Sequence, residues 1–349
     1  MRKSTVSSIL QRVLEHCKQH NIHYFDFIFH GGEPLLLTPE FYVNFVNLAN
    51  EYLNGLTLGF ALQTNGVLIN EEWCKTFEKL DISVGISIDG TKESHDFHRK
   101  YHHGKGSYED VLKGLNFLKN HQLPYQVGIL MLIDVFSDPK EVYRHLKNLK
   151  VKAINLLLPY GNFESLPPAF EGSNDLQTHY ADWLIEIFDY WFFDNETDFK
   201  IKIFEQLMEL ILGIDNGFEY WGQKNNEYLV IETDGSIEAV GALKLIGNGF
   251  TKAGMNVQHN SFDEALNTNL ATQYHLGHQK VCSICQKCTV FEVCGGSFFP
   301  TRYRKENGFD NPSIYCKDLF KLINHVQNRM LDDMPDTLKT TLALDKKIR

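Results

Sequence analysis

Five of the seven cysteines in this 349-residue chain crowd into its last quarter, as Cys282-x2-Cys285-x2-Cys288-x5-Cys294 followed by Cys316. Thiolates at such short spacing converge readily on one metal centre, with a distant cysteine closing the shell. Four of them suit either a 4Fe–4S cluster or tetrahedral zinc, and a fifth is left over. In a reducing compartment such a group reads as metal ligands rather than disulfides. Cys17 and Cys74 stand alone within helical patterns.

Polar residues also recur where strands are expected to end. His30-Gly31-Gly32-Glu33-Pro34 follows the run HYFDFIF, Gln63-Thr64-Asn65-Gly66 follows LTLGFAL, and Ser87-Ile88-Asp89-Gly90 belongs to the end of ISVGISI. His95-Asp96 and Arg99 come shortly after. In parallel α/β folds ligands bind at the carboxyl ends of strands. Paired glycines let a ligand approach the backbone closely, and Glu33 adds a carboxylate suited to an ammonium group. Each motif alone is an ordinary turn. Three in register describe a polar pocket at the top of a barrel, with Gly31, Gly32, Glu33, Gln63, Asn65, Ser87, Asp89 and Arg99 as its candidate lining. His98, His102 and His103 read as an exposed loop rather than a metal cluster.

The elements that must position these residues alternate. Residues 4–20 read as an amphipathic helix with Ser4 as its cap, and 23–29 as a buried strand. A helix follows Thr38-Pro39-Glu40. Strands are expected at 56–62, 82–88, 124–133 and 151–158, and helices after Asn70, after Ser107, near 138–149, near 175–194 and near 200–213. Five βα units imply a parallel sheet covered by helices. The chain opens on a helix. Either the repeat has lost its first strand, making Met1 an internal residue of a longer protein, or the helix simply caps the sheet. Periodicity leaves both open. Beyond about residue 214 the strands shorten, and Asp234-Gly235 suits a hairpin turn within 227–240. A boundary near 214–226 divides the chain into 1–214 and 215–349.

Composition narrows the function. The net charge of -10 and the lack of a basic run argue against nucleic acid as a partner. No apolar stretch approaches the roughly 20 residues that span a bilayer, and the N-terminus is not a signal peptide. A cytoplasmic protein is the default.

Taken in order, the motifs at 30–34, 63–66, 87–90 and 95–99, with Gly106-Ser107-Tyr108, resemble radical S-adenosylmethionine (SAM) enzymes of the sulfatase-maturase type. Cys285-x2-Cys288-x5-Cys294 with Cys316 resembles an auxiliary cluster of their C-terminal SPASM domain. Leu158-Pro159, Phe204-Glu205, Glu232-Thr233-Asp234-Gly235 and Asn311-Pro312-Ser313 look most like the branch that crosslinks side chains in ribosomally made peptides. The resemblance covers nearly the whole chain. It implies an α/β fold, a partial (β/α)6 barrel without its first strand, plus a small cysteine-rich domain. It implies SAM as cofactor, with Gly31, Gly32 and Glu33 at its methionine end, Ser87 and Arg99 along the pocket and the strand at 154–158 beside the adenine. It also implies an auxiliary 4Fe–4S cluster on Cys285, Cys288, Cys294 and Cys316, with no clear role for Cys282. The partner it implies is a peptide or protein substrate, a ribosomally made precursor.

Three departures matter. The family's Cys-x3-Cys-x2-Cys loop, which holds the SAM-cleaving cluster, does not occur in residues 1–349. Val240-Gly241 stands where sulfatase maturases carry a Cys-Asp pair, and Phe298 where another cluster ligand would follow. Loss of that Asp removes the base proposed for sulfatase maturation and disfavours direct formylglycine formation. The expected function is therefore hydrogen abstraction from a peptide side chain by the complete protein, with this chain alone inactive. A non-catalytic peptide- or partner-binding protein and a zinc-stabilised α/β protein are the competing expectations.

Overall fold

A computed structural model describes residues 1–121, 127–171, 178–194 and 198–333. Its first part is a single sheet of six parallel strands in sequential order: β1 (Tyr24–Phe29), β2 (Thr57–Thr64), β3 (Ile82–Ser87), β4 (Val127–Leu132), β5 (Ala153–Leu157) and β6 (Lys200–Ile201). The helices between them are α1 (Lys3–His20), α2 (Pro39–Tyr52), α3 (Glu71–Leu80), α4 (Lys92–His98), α5 (Tyr108–Asn120), α6 (Pro139–Asn148), α7 (His179–Phe193) and α8 (Lys202–Ile211). The expected βα alternation is present. The sixth strand was not anticipated, because two residues are too few to show a period. Residues 124–126 of the expected fourth strand and 175–177 of the expected helix near 175–194 lie outside the described residues.

The strands sort their side chains by face. Phe27, Phe60, Leu62, Val84, Ile86, Ile129, Met131, Ile154 and Leu156 are buried in one continuous core with residues of α1, α2, α3, α5, α6, α7 and α8. The opposite face is built small. Gln63, Gly85, Gly128 and Ala153 stand side by side in one register row across β2 to β5. Ser87, Leu130 and Asn155 form the next row toward the strand ends. A row of glycine and alanine leaves space above the sheet that ordinary core residues would fill.

Local chemistry sets the helix ends, with exceptions. Asn70 caps α3 by accepting a hydrogen bond from the Trp73 amide at 3.1 Å. Ser4 is not a cap: α1 begins at Lys3, with extended Arg2 before it and no side-chain cap. Thr38 precedes α2 without capping it, and Pro39 fixes the first turn. Thr178 also leaves α7 uncapped, and Asp318 replaces it from elsewhere, accepting from the Ala181 amide at 2.9 Å.

The second part carries the antiparallel sheet β7 (Val230–Ile231), β8 (Ser236–Glu238) and β9 (Lys252–Asn256). The Asp234-Gly235 hairpin forms as expected, with Ile231 opposite Ile237. Short helices α9 (Phe262–Leu266), α10 (Asn269–His275), α11 (Ser283–Gln286) and α12 (Phe291–Cys294) follow, too brief to show helical periodicity, and then the long α13 (Cys316–Asp333). Leu319, Leu322, Ile323, Val326 and Met330 of α13 join the core of the first part, as do Ile237, Val257 and Phe262. One apolar core thus runs through both sides of residues 214–226. Among the described residues no helix is long and apolar enough to cross a membrane.

Candidate functional site

The expected pocket residues gather at the carboxyl ends of β1, β2 and β3. A Cβ on Gly31 or Gly32 would meet nothing within 4 Å, so both backbones face open space. Glu33 reaches across to β2. Its Oε1 accepts from the Thr64 hydroxyl at 2.7 Å and the Leu35 amide at 2.9 Å, and its Oε2 accepts from the Asn65 amide at 2.9 Å. The carboxylate therefore ties the first strand end to the second. A carboxylate has about four acceptor sites, so three protein donors leave room for roughly one more. Thr64, part of the second motif but not of the candidate lining, belongs to this tie.

The second tie joins β2 to β3. Gln63 Nε2 donates to Ser87 Oγ at 3.1 Å. The amide crosses the backbone of Gly85, where an added Cβ would stand 2.0 Å from Gln63 Oε1. Only glycine admits this path.

Asp89 and Arg99 meet each other. Arg99 Nε donates to Asp89 Oδ2 at 2.5 Å and Nη2 to Oδ1 at 3.3 Å, while the Leu132 amide donates to Oδ1 at 2.9 Å. Asp89 is buried and Arg99 partly exposed. A charge pair held this way keeps the guanidinium aimed from a fixed point. His95, fully buried, secures the same loop. Its Nδ1 accepts from the Asp89 amide at 3.2 Å, and its Nε2 lies 3.1 Å from Ser107 Oγ. Burial, opposed by the charge of Asp89, pushes its pKa down to about 4. The imidazole is therefore neutral and structural. His98, expected in a loop, instead ends α4, where it lies 3.5 Å from Asp134, while His103 stacks on Tyr101 in the turn beyond.

A cavity of about 180 Å³ opens beside the end of β5, lined by Asn155, Leu157, Gln206, Glu219, Tyr220 and Tyr228. Glu219 accepts a short hydrogen bond from the Tyr274 hydroxyl. Burial raises its pKa, against the lowering effect of that bond. Tyr220 stacks on Phe298, with ring centroids 4.5 Å apart. No motif in the sequence marks Glu219, because its setting comes from residues 55 positions away.

The cysteines come together as expected. Cys282 and Cys285 place their sulfurs 3.7 Å apart, too far for a disulfide. Burial, then neighbouring thiols, raises Cys285 and Cys294 to about 12. Cys316 is raised by burial and by Cys288 and Cys282. Each of the five thus lies within the electrostatic reach of others. Sulfur also fits a metal centre here for a second reason. Arg302 is completely buried, and the groups whose negative charge would act on it are the thiols of Cys294, Cys285 and Cys282. It donates to the carbonyls of Gly296 (2.7 Å), Gly277 (2.6 Å), Ser297 (2.7 Å) and Gly295 (3.1 Å). Gly295, Gly296 and Ser297 all have positive φ, which turns their carbonyls onto the guanidinium. A buried cation amid neutral thiols is costly, whereas thiolates on a metal compensate it.

The sulfur spacing bears on which metal. Tetrahedral zinc at about 2.3 Å from each sulfur requires sulfurs under roughly 4 Å apart. Among the described residues, no three cysteines have sulfurs mutually within 4.8 Å. A cluster whose thiolates each bind a different iron needs the wider spread.

The two regions are joined. Tyr315, just before Cys316, donates to the Pro159 carbonyl beyond β5 at 2.6 Å. His278 sits between the carbonyls of Gly295 and Glu219 at 3.0 and 2.9 Å. Asn311 and Ser313 clamp the same turn, Asn311 through the Arg302 carbonyl (3.0 Å) and Ser313 through Thr301 Oγ1 (2.7 Å).

Comparison with known proteins agrees with this geometry. Residues 2–149 match the model of the Radical SAM superfamily. The chain is 26% identical over 345 residues to a cysteine-type anaerobic sulfatase-maturating enzyme of Clostridium perfringens, covering 95% of this chain and 88% of that protein. It is 25% identical over 320 residues to a serine-type enzyme of Bacteroides thetaiotaomicron, covering 86% and 75%. The solved structure of native anSMEcpe with bound AdoMet superposes with a TM-score of 0.82 at 25% identity, covering 95% of this chain and 89% of that one. The same enzyme with AdoMet and the Kp18Cys peptide gives 0.80 at 26% identity, covering 95% and 90%. Residues 2–149 thus match the radical SAM superfamily, and over nearly its whole length the chain is similar to the anaerobic sulfatase-maturating enzymes.

Proposed function

We propose that this chain is the SAM- and peptide-binding body of a radical SAM peptide-modifying enzyme, with residues 1–214 as the radical SAM part and 215–349 as the auxiliary-cluster part. The observation that carries the reading is the pair of ties, Glu33 to Asn65 and Gln63 to Ser87, which set three strand ends around one open space. Gly31 and Gly32 offer backbone to the methionine end of SAM. Ser87 and Arg99 line its length, and Asn155 lies toward the adenine. Cys285, Cys288, Cys294 and Cys316 hold an auxiliary 4Fe–4S cluster, with Cys282 beside Cys285. Bound SAM, given one electron by a reduced catalytic cluster, would supply radical chemistry: cleavage to methionine and a 5′-deoxyadenosyl group able to take a hydrogen atom from a peptide side chain.

The substrate is a peptide, seated at the cavity beside β5. Relatives with bound peptide support a peptide as the substrate class. Glu219 there, held by the hydroxyl of the buried Tyr274, presents a carboxylate to a polar side chain. Val240-Gly241 offers no carboxylate, so Glu219 is the acid–base group of this reading. That favours crosslinking or a related modification over formylglycine formation, with a ribosomally made precursor as substrate in the cytoplasm. Calorimetric titration of SAM tests the pocket. Saturable binding weakened by Arg99→Ala supports it. Absence of binding, or binding indifferent to Arg99→Ala, overturns it.

A further inference from the structure

Three ligand-type side chains meet away from both sites described above. His16 and His20 lie four residues apart on α1, a spacing that sets two imidazoles on one helix face. Asp263 comes to them from the first turn of α9. His20 Nε2 is 2.6 Å from Asp263 Oδ1, and His16 Nδ1 is 3.3 Å from the same oxygen. All three ligand atoms lie within 4.8 Å of one another, the only such group among the described residues.

The arrangement has an unmet demand. His16 Nδ1 is buried and makes no hydrogen bond. An orphaned polar atom of this kind is destabilising. The neighbouring carboxylate approaches it without hydrogen-bond geometry. The three groups are also held in place. Phe262 packs its edge on the His16 ring, with centroids 6.2 Å apart. The capping box of Ser261 and Glu264 fixes the turn that carries Asp263. Asp263 stays below the usual carboxylate range: burial raises it, but the hydrogen bond from His20 and the charge of both imidazoles prevail.

We propose that His16, His20 and Asp263 form a binding site for one divalent transition-metal ion of the zinc class. Two imidazoles and a carboxylate suit zinc, cobalt or nickel, and three protein ligands leave a position for water. The ion satisfies the buried His16 nitrogen and latches α1 to α9, alongside the existing bond from Arg12 Nε to the Val257 carbonyl at 2.9 Å. The site shares no residue with the cysteine centre.

The test uses anaerobic protein with its iron–sulfur cluster assembled, so that the cysteines are occupied. Cobalt(II) is titrated and followed by visible absorption and by metal content after gel filtration. The expected result is about one cobalt per chain with a d–d band of nitrogen–oxygen coordination, weakened at least roughly tenfold in His20→Ala. Zinc should displace the cobalt and raise the melting temperature of the wild type but not of His20→Ala. The His20 side chain is 44% exposed, so this variant folds even if His16→Ala does not. Cobalt binding equal in wild type and His20→Ala, or no binding beyond the cluster, overturns the proposal.

Discussion

Arg302 Nη2 donates to the Gly295 carbonyl at 3.1 Å, one residue after Cys294. The contact couples a fully buried cation to the turn that presents a cluster ligand. Arg302→Met would leave the buried carbonyls of Gly277, Gly296 and Ser297 without their donor, leave Gly295 with His278 alone, and remove the charge facing the thiols. The expected loss is about 3–5 kcal/mol of stability, with iron content falling alongside. Anaerobic denaturant melts and iron assays of the variant check it. A variant as stable and iron-replete as the wild type would refute the role.

Glu219 should matter for the peptide and not for the fold. Its pKa is raised mainly by burial. A carboxylate whose pKa is raised on folding costs stability as pH rises from its unfolded value through its folded value, and the cost is complete above that. Glu219→Gln should therefore be at least as stable as wild type at pH 8, while peptide turnover falls by about tenfold or more. Thermal melts and peptide turnover measure the two effects. Unchanged turnover would remove Glu219 from the proposed acid–base role.

His95 makes stability pH-dependent. Its folded pKa of about 4 lies below the ordinary imidazole value because of burial. The unfolded state then binds the proton more readily, so stability is complete above about pH 6.5 and declines as pH falls toward 4. The span is worth about 3 kcal/mol. His95→Gln should flatten the pH dependence of the denaturation midpoint between pH 4 and 6.5.

Gly85→Ala probes the pocket floor. The new Cβ would stand 2.0 Å from Gln63 Oε1, forcing that side chain off Ser87. The neighbour that yields is the end of a flexible side chain, so the protein should still fold. SAM affinity should fall roughly tenfold, the value of about one hydrogen bond. Calorimetry on the variant reads this directly.

Much of the fold was legible because strands and helices of the first part have length. Strand runs such as ISVGISI and the helix after Asn70 carry a clear period and a true cap. Lys200–Ile201 and α9 to α12 were not, since two to seven residues show no repeat. The strand-end motifs pointed to one region, yet their pairing was hidden. Nothing local says that Asp89 is bound by Arg99, or that Glu33 is held by Thr64 and Asn65. Arg302 and Glu219 escaped notice for the same reason. A buried arginine facing sulfur and a carboxylate facing a distant tyrosine are products of packing.

The most direct test is anaerobic analysis of iron, sulfide and zinc in this chain after reconstitution, with electron paramagnetic resonance spectra recorded with and without SAM. The account predicts about four irons and four sulfides per chain, lost in Cys316→Ser and retained in Cys282→Ser. It also predicts spectra insensitive to SAM, since residues 1–349 contain no Cys-x3-Cys-x2-Cys loop. Zinc at the cysteines in place of iron, or iron content untouched by Cys316→Ser, would contradict it.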